Sequence, residues 1–319
     1  MKQRVISDGR VELTVSQLCL GTMYYGYRTE ERTAFAILDR FLEAGGTFLD
    51  TANNYGQWHG EPGESERVLG RWMRARGTTD TMVVATKVGA RTLRPGDPSP
   101  EHWQGLGRDH ILGDIETSRR NLGKDRIDLY YAHIDDRSTP QQETVDAFSE
   151  LAESGTVGLL GCSNTAVWRI ERARSLALAA GRPAYSCIQQ KHSYLLPLPG
   201  HGQTNVVTEE LLDYVEADGL TLLAYSPLLA GAYSRGRGFG AEYDNPVNAV
   251  RLRVLHEVAA ELDATPNQVV LAWLMAGTPS VTPITGASSV AQLDELLGAV
   301  DLSLDAETMD RLNQAGRQA

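Results

Sequence analysis

The chain alternates between short apolar runs and longer amphipathic stretches, a pattern typical of strands that are each followed by a helix. An Asp8-Gly9 pair between two apolar segments first predicts a short β-hairpin. Eight predicted strands then cover residues 18–22, 47–51, 81–87, 127–133, 157–162, 186–190, 221–226 and 281–284. The helices predicted after them cover residues 30–44, 65–76, 109–122, 140–154, 166–180, 208–218, 247–262 and 289–300. The pattern therefore indicates eight successive strand–helix units.

Eight such units within 319 residues predict an α/β fold, a (β/α)8 TIM barrel with an N-terminal β-hairpin. A doubly wound two-domain fold is the alternative, but no GxGxxG motif follows the first strand, where that fold needs one. Two further helices, at residues 267–276 and 305–315, fall outside the repeat and are predicted as extra C-terminal helices. Because no low-complexity linker interrupts the chain, residues 1–319 are predicted to form a single domain.

Composition narrows the class of protein without choosing a function. With 42% hydrophobic and 22% charged residues, the chain has the composition of a folded globular protein. Its net charge of -11 argues against a nucleic acid or an anionic membrane as the main partner, since both bind clustered Lys and Arg. The N-terminus has no apolar signal segment, and the longest apolar run, residues 269–276, is too short to cross a bilayer. We therefore expect a cytoplasmic protein, whose oligomeric state the sequence does not predict.

Three cysteines, Cys19, Cys162 and Cys187, lie within apolar runs and form no CxxC pair. They are predicted to be buried thiols in a reducing compartment. No histidines or cysteines show metal-ligand spacing, so no metal site is expected.

Polar side chains recur where the predicted strands end. From the second strand to the seventh, these ends carry Asp50, Lys87, His133, Ser163-Asn164, Gln189-Gln190 and Tyr225-Ser226. Each alone has an ordinary structural explanation as a cap or a solvated strand end. In a barrel, however, the carboxyl ends of all strands meet at one face, so together these residues predict a single active site.

The stretch FLDTANNYG places Asp50 at a strand end and Tyr55 five residues later. Free tyrosine, with a pKa of about 10, is a poor acid near neutral pH. An ammonium such as that of Lys87 favours the phenolate and lowers this pKa, and a carboxylate keeps the ammonium charged. A neutral His133 could orient a carbonyl oxygen. Since none of these side chains can supply a hydride, the chemistry also requires a cofactor.

These residues lie within motifs through which the chain resembles the aldo-keto reductases, (β/α)8 oxidoreductases that use NADPH and less often NADH. The motifs are LCLGTM (18–23), FLDTANNYG (48–56), GESERVLGRWM (63–73), VVATKVG (83–89), DLYYAH (128–133), GCSN (161–164), IQQKHSYL (188–195), AYSPL (224–228) and PITGASSVAQLDEL (283–296). The resemblance implies that Tyr55 donates a proton, Lys87 and Asp50 tune it, and His133 orients the substrate. It further implies reduction of a small-molecule carbonyl, an aldehyde, ketone or oxidised sugar, to an alcohol.

The resemblance also implies where the nicotinamide cofactor binds. Its carboxamide contacts fall on Ser163, Asn164 and Gln189, with Gln190 as the alternative to Gln189, and Tyr225 would stack on the ring. The remaining cofactor contacts fall on Gly21, Thr22, Met23, Ser226, Leu228, Gly231, Gly286, Ala287, Ser288, Gln292 and Glu295. Candidate substrate contacts are Tyr24, Tyr25, Trp58, Trp103 and the loop at residues 195–201.

The chain departs from the family pattern at the adenosine end. Many NADPH-specific members carry cations where this sequence has Gly286 and Gln292, and a phosphate is best held by a charged fork. Arg235 or Arg237 could supply that charge instead. NADPH is thus the expected cofactor, with NADH possible.

Two other functions are compatible with these residues. The first is a cofactor-binding regulatory subunit that senses redox state and turns over little substrate. The second is a barrel lyase or isomerase in which Lys87 forms a Schiff base and no nicotinamide binds.

Overall fold

A computed structural model describes residues 1–97, 99–200, 205–235 and 238–317. Its strands are β1 (Gln3–Ser7), β2 (Glu12–Ser16), β3 (Cys19–Gly21), β4 (Phe48–Asp50), β5 (Val83–Val88), β6 (Ile127–Ala132), β7 (Val157–Ser163), β8 (Cys187–Lys191), β9 (Thr221–Tyr225) and β10 (Val281–Thr285). Its α-helices are α1 (Glu31–Glu43), α2 (Glu64–Arg76), α3 (Arg108–Leu122), α4 (Gln141–Glu153), α5 (Val167–Ala179), α6 (Glu209–Ala217), α7 (Ala232–Arg235), α8 (Pro246–Glu261), α9 (Pro266–Ala276), α10 (Val290–Leu297) and α11 (Ala306–Gln314). Short 3-10 turns cover Pro100–His102, Leu229–Gly231, Ala241–Tyr243 and Gly298–Val300.

Strands β3 to β10 form a closed parallel barrel in which each strand pairs with the next in sequence and β10 returns to β3. Strands β1 and β2 form a separate antiparallel hairpin. The predicted (β/α)8 barrel with an N-terminal hairpin is confirmed.

Helix α1 shows how the sequence pattern produces these units. Its buried residues, Ala34, Ile37, Leu38 and Phe41, recur at three- and four-residue steps, so they form one apolar stripe against the barrel. The chain then leaves the helix through Gly45, which adopts φ of +80°, a left-handed conformation that glycine reaches without steric cost.

Side-chain alternation along the strands divides the interior into two cores. One lies between the barrel and its helices, and the other fills the barrel itself. The hairpin residues Ile6, Leu13 and Val15 pack into the second core, and Arg4 donates a hydrogen bond to Oγ1 of Thr282 at the start of β10 (2.8 Å). The hairpin therefore covers the amino-terminal end of the barrel and leaves the carboxyl-terminal end to the site.

The structure corrects the order of two helices after β9. We expected α8 to cover the barrel and α9 to lie outside the repeat. Instead, α9 packs directly against β10 and α10, whereas α8 packs on α9 and α11. Helix α9 is apolar around most of its circumference, as expected for a helix covered on both sides. Within the described ranges, no helix is long and apolar enough to span a membrane.

Candidate active site

A cleft of about 1530 Å³ opens at the carboxyl ends of the strands. Most of the site residues predicted from the sequence line it. They are Asp50, Tyr55, His133, Gly21, Thr22, Met23, Tyr24, Tyr25, Trp58, Trp103, Ser163, Asn164, Gln189, Tyr225, Ser226, Leu228, Gly231, Gly286, Ala287, Ser288, Gln292 and Glu295. Lys87 does not line the cleft, because its side chain is fully buried behind Tyr55. The structure therefore brings the predicted residues together at one place.

Lys87 is the centre of a buried polar cluster. Its Nζ donates hydrogen bonds to Oδ1 of Asp50 (2.5 Å), to the backbone oxygen of Thr51 (2.6 Å) and to the hydroxyl of Tyr55 (3.2 Å). Three acceptors satisfy all three protons of an ammonium, so the charge is compensated despite complete burial. This arrangement fixes the Lys87 ammonium against the Tyr55 oxygen.

Burial and charge act in opposite directions on these groups. Burial lowers the pKa of Lys87, but the nearby Asp50 and Tyr55 oxygens outweigh it and leave the pKa raised. Burial raises the pKa of Tyr55, and Lys87 offsets only part of that rise. The expected effect of Lys87 is present, but the net shift of Tyr55 is upward. In this cluster Lys87 is therefore an ammonium and Tyr55 a protonated phenol.

His133 follows β6 and its ring lies beside that of Tyr55, with centroids 6.0 Å apart and planes at 73°. Burial, assisted by the Lys87 charge, holds the pKa of His133 well below its usual value. Its Nδ1 is buried and has no hydrogen-bond partner among the described residues. His133 is thus neutral at neutral pH, and it lines the cleft together with Tyr55.

Strand parity separates the two adjacent glutamines of β8. Gln189 points into the barrel, where its Nε2 donates to Oδ2 of Asp50 (2.8 Å). Gln190 points outward, where it accepts from the amide of Asn164 (2.8 Å) and donates to the backbone oxygen of Thr165 (2.8 Å). Since a carboxylate only accepts, Gln189 keeps its Oε1 for another donor.

Asn164 links three strand ends. Its Nδ2 donates to the backbone oxygen of His133 (2.9 Å) and to Oγ of Ser163 (3.1 Å), while its Oδ1 accepts from the hydroxyl of Tyr225 (2.8 Å). Asn164 adopts a left-handed φ of 56°, which asparagine tolerates better than most residues. This network holds the Tyr225 hydroxyl at the cleft, and burial raises the pKa of Tyr225 to about 12.

The opposite end of the cleft is formed by the start of α10. Ser289 caps this helix by accepting from the amide of Gln292 (3.2 Å), and Oε1 of Gln292 accepts from the amide and hydroxyl of Ser288 (2.9 and 2.8 Å). Glu295 accepts from Thr265 and Asn267 (2.9 and 3.1 Å). Two small hydroxyl side chains and a helix N-terminus suit an anion, because the first helical amides lack partners within the helix.

Cations are scarce along this cleft. In the part of the chain that the structure describes, Arg137 is the one Lys or Arg lining it, and it lies in the loop after β6. Arg237 and His201, the last residue of the predicted loop 195–201, lie outside the described residues, as does the side chain of Arg235. No group of three His, Cys, Asp or Glu side chains suited to a metal ion occurs among the described residues.

Two neighbouring asparagines in FLDTANNYG take different surroundings. Asn53 donates from Nδ2 to Oδ2 of Asp114 (2.6 Å) and does not line the cleft. Asn54 does line the cleft, is 2% exposed, and its Oδ1 has no hydrogen-bond partner among the described residues. One asparagine thus anchors the loop to α3 and the other faces the site.

The four candidate aromatic residues differ in exposure. Tyr24 and Trp58 are 43% and 37% exposed, and the Trp58 ring centroid lies 6.3 Å from that of Tyr55. Tyr25 is buried in the core between barrel and helices, so it forms the back of the wall. Trp103 lies in the loop between β5 and α3, which forms another part of the wall.

Sequence analysis missed a buried hydroxyl cluster under the site. Oγ of Ser65, at the start of α2, donates to the backbone oxygen of Thr22 (2.8 Å) and accepts from the hydroxyl of Thr51 (2.8 Å). The hydroxyl of Thr22 in turn donates to the backbone oxygen of Asp50 (2.9 Å). Ser65 lay within the GESERVLG motif, but its partners come from elements distant in sequence, so no local pattern could show them.

The fold and the site define the class of protein: a closed (β/α)8 barrel with a buried cluster of Asp50, Lys87 and Tyr55 at the carboxyl ends of its strands. The model of the Aldo/keto reductase family matches residues 17–317, and the chain therefore belongs to that family. Its curated relatives are oxidoreductases.

Three of these relatives span nearly the whole chain. The uncharacterized oxidoreductase YrpG of Bacillus subtilis (strain 168) is 34% identical, with 96% of this chain and 93% of the relative covered. The norsolorinic acid reductase stcV of Emericella nidulans is 30% identical, with 92% and 76% covered. The aryl-alcohol dehydrogenase [NADP(+)] of Phanerodontia chrysosporium is 30% identical, with 94% and 82% covered.

Proposed function

We propose that this protein reduces an aldehyde, ketone or oxidised sugar to an alcohol with a nicotinamide cofactor, and that Tyr55 is the proton donor. The observation that carries the proposal is the contact between the Lys87 ammonium and the Tyr55 hydroxyl, at 3.2 Å. An ammonium at that position stabilises the phenolate that remains once the proton has left.

The chain's own residues would act on the carbonyl oxygen. Tyr55 gives its proton to this oxygen while the Lys87 ammonium, held by Asp50, balances the charge left on the phenolate. Neutral His133 orients the same oxygen by hydrogen bonding. The chemistry that a bound reduced nicotinamide supplies is a hydride to the carbonyl carbon. One proton and one hydride convert the carbonyl to an alcohol, and solvent reprotonates Tyr55.

The donors and acceptors of the cleft fit a nicotinamide cofactor. Gln189 donates to Asp50 from its Nε2, so its Oε1 is free to accept from a carboxamide. Oγ of Ser163 accepts from Asn164, so the hydroxyl proton of Ser163 remains available to the cofactor. Tyr225 lies at the same strand ends and offers a ring for stacking. The start of α10, with Ser288 and Ser289, would take a phosphate group of the cofactor.

NADPH is the first choice of cofactor and NADH the second. Support for NADPH comes from the family and from the relative whose name specifies NADP(+). We propose that the substrate lies beside Tyr24, Trp58 and Trp103, which line the cleft and whose rings suit a flat or apolar part of a carbonyl compound. Of the three candidate functions, Schiff-base chemistry at Lys87 has least support, because this amine is buried as an ammonium and does not line the cleft.

The test begins with fluorescence titrations of NADPH and NADH, followed by a panel of carbonyl substrates with the cofactor that binds more tightly. Turnover is followed by the loss of reduced-nicotinamide absorbance. Tyr55→Phe should bind the cofactor as the parent does but reduce carbonyls about 10²- to 10⁴-fold more slowly, the usual loss for a general acid. Equal turnover by Tyr55→Phe and the parent, or absence of cofactor binding, would show the proposal to be wrong.

A further inference from the structure

Asp114 holds two of the loops that form the cleft. It lies on α3, and its side chain is 11% exposed. Its Oδ2 accepts from Nδ2 of Asn53 (2.6 Å) and from Nε2 of Gln104 (2.5 Å). Its Oδ1 accepts from Nη2 of Arg91 (2.9 Å), whose Nε also donates to Oδ2 (3.4 Å). One carboxylate therefore joins the loop after β4 to both ends of the loop after β5.

The two ends of the loop after β5 pair as an antiparallel ribbon of residues 89–93 and 102–105, which we call the wall ribbon. The amide of Gln104 donates to the backbone oxygen of Arg91 (2.9 Å), so the two ribbon residues that reach Asp114 are cross-strand neighbours. Trp103 forms an antiparallel bridge with Thr92 on the same ribbon and lines the cleft. Asp114 thus clamps the wall ribbon through one side chain on each side of it.

Gln57 attaches the wall ribbon to the loop after β4 a second time. Its Nε2 donates to the backbone oxygen of Ala90 (3.2 Å), and its Oε1 accepts from the amide of Thr92 (2.9 Å). The side-chain amide thereby pairs with the ribbon backbone much as a neighbouring strand would. The loop that carries Tyr55 and the ribbon that carries Trp103 are therefore one hydrogen-bonded unit.

The residues that Asp114 holds lie close in sequence to residues that face the cleft. Asn53 precedes Tyr55 by two positions, and Gln104 directly follows Trp103. Because successive Cα atoms are about 3.8 Å apart, a fixed neighbour leaves the adjacent side chain little freedom to move. Loops without such contacts are among the more mobile parts of a protein. Asp114 does not line the cleft itself, so it can act on a bound molecule only through these loops.

We propose that Asp114 is a positioning residue, which fixes the Trp103 ring relative to Tyr55 so that a flat aromatic carbonyl compound fits beside both. This proposal rests on the proposed carbonyl reduction and adds a substrate class to it, the aromatic aldehydes and ketones. Asp114 takes no part in bond making, and the balance of one proton and one hydride is unchanged.

The test compares 2-naphthaldehyde, whose fused rings are flat, with propanal, which has no ring. Trp103→Leu should lower the ratio of kcat/KM for 2-naphthaldehyde to kcat/KM for propanal about three- to tenfold, as for one lost aromatic contact. Asp114→Asn keeps the size of the side chain but leaves a single acceptor atom, and it should lower the ratio by a similar factor.

The double variant Trp103→Leu, Asp114→Asn tests whether the two residues act together. Its ratio should fall no further than in the more affected single variant, because Asp114 acts through Trp103. The Kd of the preferred nicotinamide should equal that of the parent in Asp114→Asn, since the proposed cofactor contacts lie at other strand ends.

Asp128→Asn is the matched control. The Asp128 side chain is 14% exposed, and it accepts from the amide of Val84 (2.9 Å) and pairs with Lys124 (3.1 Å) near the start of β6, away from the cleft. This variant should lower the midpoint of urea unfolding while leaving the ratio unchanged. Arg91→Met removes two contacts to Asp114 from outside the cleft, and it repeats the measurement if Asp114→Asn does not fold.

The outcomes separate this proposal from carbonyl reduction. A ratio that falls in both single variants, falls no further in the double variant and stays constant in Asp128→Asn supports the role of Asp114. A parent that reduces propanal overturns that role, and leaves carbonyl reduction standing, if it does not reduce 2-naphthaldehyde or if Asp114→Asn leaves the ratio unchanged. Additive losses in the double variant, or an equal loss in Asp128→Asn, have the same meaning. A parent that binds no nicotinamide and reduces neither aldehyde overturns both proposals.

Discussion

Gln189 donates a hydrogen bond across the barrel from its Nε2 to Oδ2 of Asp50, at 2.8 Å. The other oxygen of the same carboxylate accepts from Lys87 at 2.5 Å. One carboxylate thus joins the residue proposed to hold the nicotinamide carboxamide to the amine that contacts Tyr55. Cofactor binding and proton donation would share this single buried group.

Substituting the two adjacent glutamines should separate their roles. Gln189→Leu should raise the Kd of the preferred nicotinamide about tenfold, because one hydrogen bond to the carboxamide is lost. Gln190→Leu should mainly lower the midpoint of unfolding, since this side chain supports the backbone at Asn164 and Thr165. Fluorescence titration and urea unfolding measure the two effects. A larger cofactor defect in Gln190→Leu, with unchanged stability, would reverse the assignment.

Removing the buried amine should cost both stability and activity. Lys87→Met leaves the Asp50 carboxylate buried without its cation, and we expect the free energy of unfolding to fall by about 3–5 kcal/mol. Carbonyl reduction should fall at least about 100-fold, because the phenolate of Tyr55 loses its stabilising charge. Urea unfolding and kcat/KM report the two losses.

The double variant Asp50→Asn, Lys87→Met serves as the control for that experiment. It removes both charges together, so much of the lost stability should return while activity stays low. Recovery of activity in the double variant would contradict the role given to Lys87.

Ser65 is expected to position the acid cluster without touching a substrate. Ser65→Ala removes hydrogen bonds to Thr22 and Thr51, and the Thr51 backbone oxygen is one of the three acceptors of Lys87. We predict a loss of about 1–3 kcal/mol in the free energy of unfolding. We also predict a fall in kcat of about tenfold with little change in KM, because the cluster is less rigid.

Ser149→Ala is the comparison for this variant. Ser149 is equally buried on a helix and donates one hydrogen bond to the backbone oxygen of Pro183 (2.8 Å), away from the cleft. Ser149→Ala should lower the free energy of unfolding about as much as Ser65→Ala does, but its kcat should equal that of the parent. If both serine variants lower kcat alike, the effect of Ser65 is general loosening of the fold.

We expect that protonation of His133 does not lower kcat/KM for reduction as the pH falls from neutral to mildly acidic values. Ordinary histidine titrates at a pKa of about 6.5, but burial and the Lys87 charge lower the pKa of His133 well below that value. A lowered pKa means that the neutral form persists as the pH falls through 6.5. We therefore expect log kcat/KM to show no inflection near pH 6.5. An inflection there in the parent that is absent in His133→Asn would contradict this assignment.

Much of the fold could be predicted because the deciding signals are local. Apolar residues at alternating and at three- or four-residue steps specify strands and helices such as α1, and a turn such as Asp8-Gly9 is specified by its own two residues. The order of strand and helix then favours a barrel, and polar strand ends such as Lys87 and His133 indicate its active face. The order of α8 and α9 could not be predicted, since either helix has a side that can be buried against the barrel.

The sequence by itself determined the barrel and the face that carries the candidate site, because both follow from local strand and helix patterns repeated along the chain. It also predicted the residues for which we propose acid–base chemistry. Only the tertiary structure decided which member of each adjacent pair faces the site, Gln189 rather than Gln190 and Asn54 rather than Asn53. Barrel closure fixes strand register, and contact with α3 fixes the loop, so both choices depend on residues distant in sequence. The upward net shift in the pKa of Tyr55 has the same origin, since burial is a property of the assembled molecule.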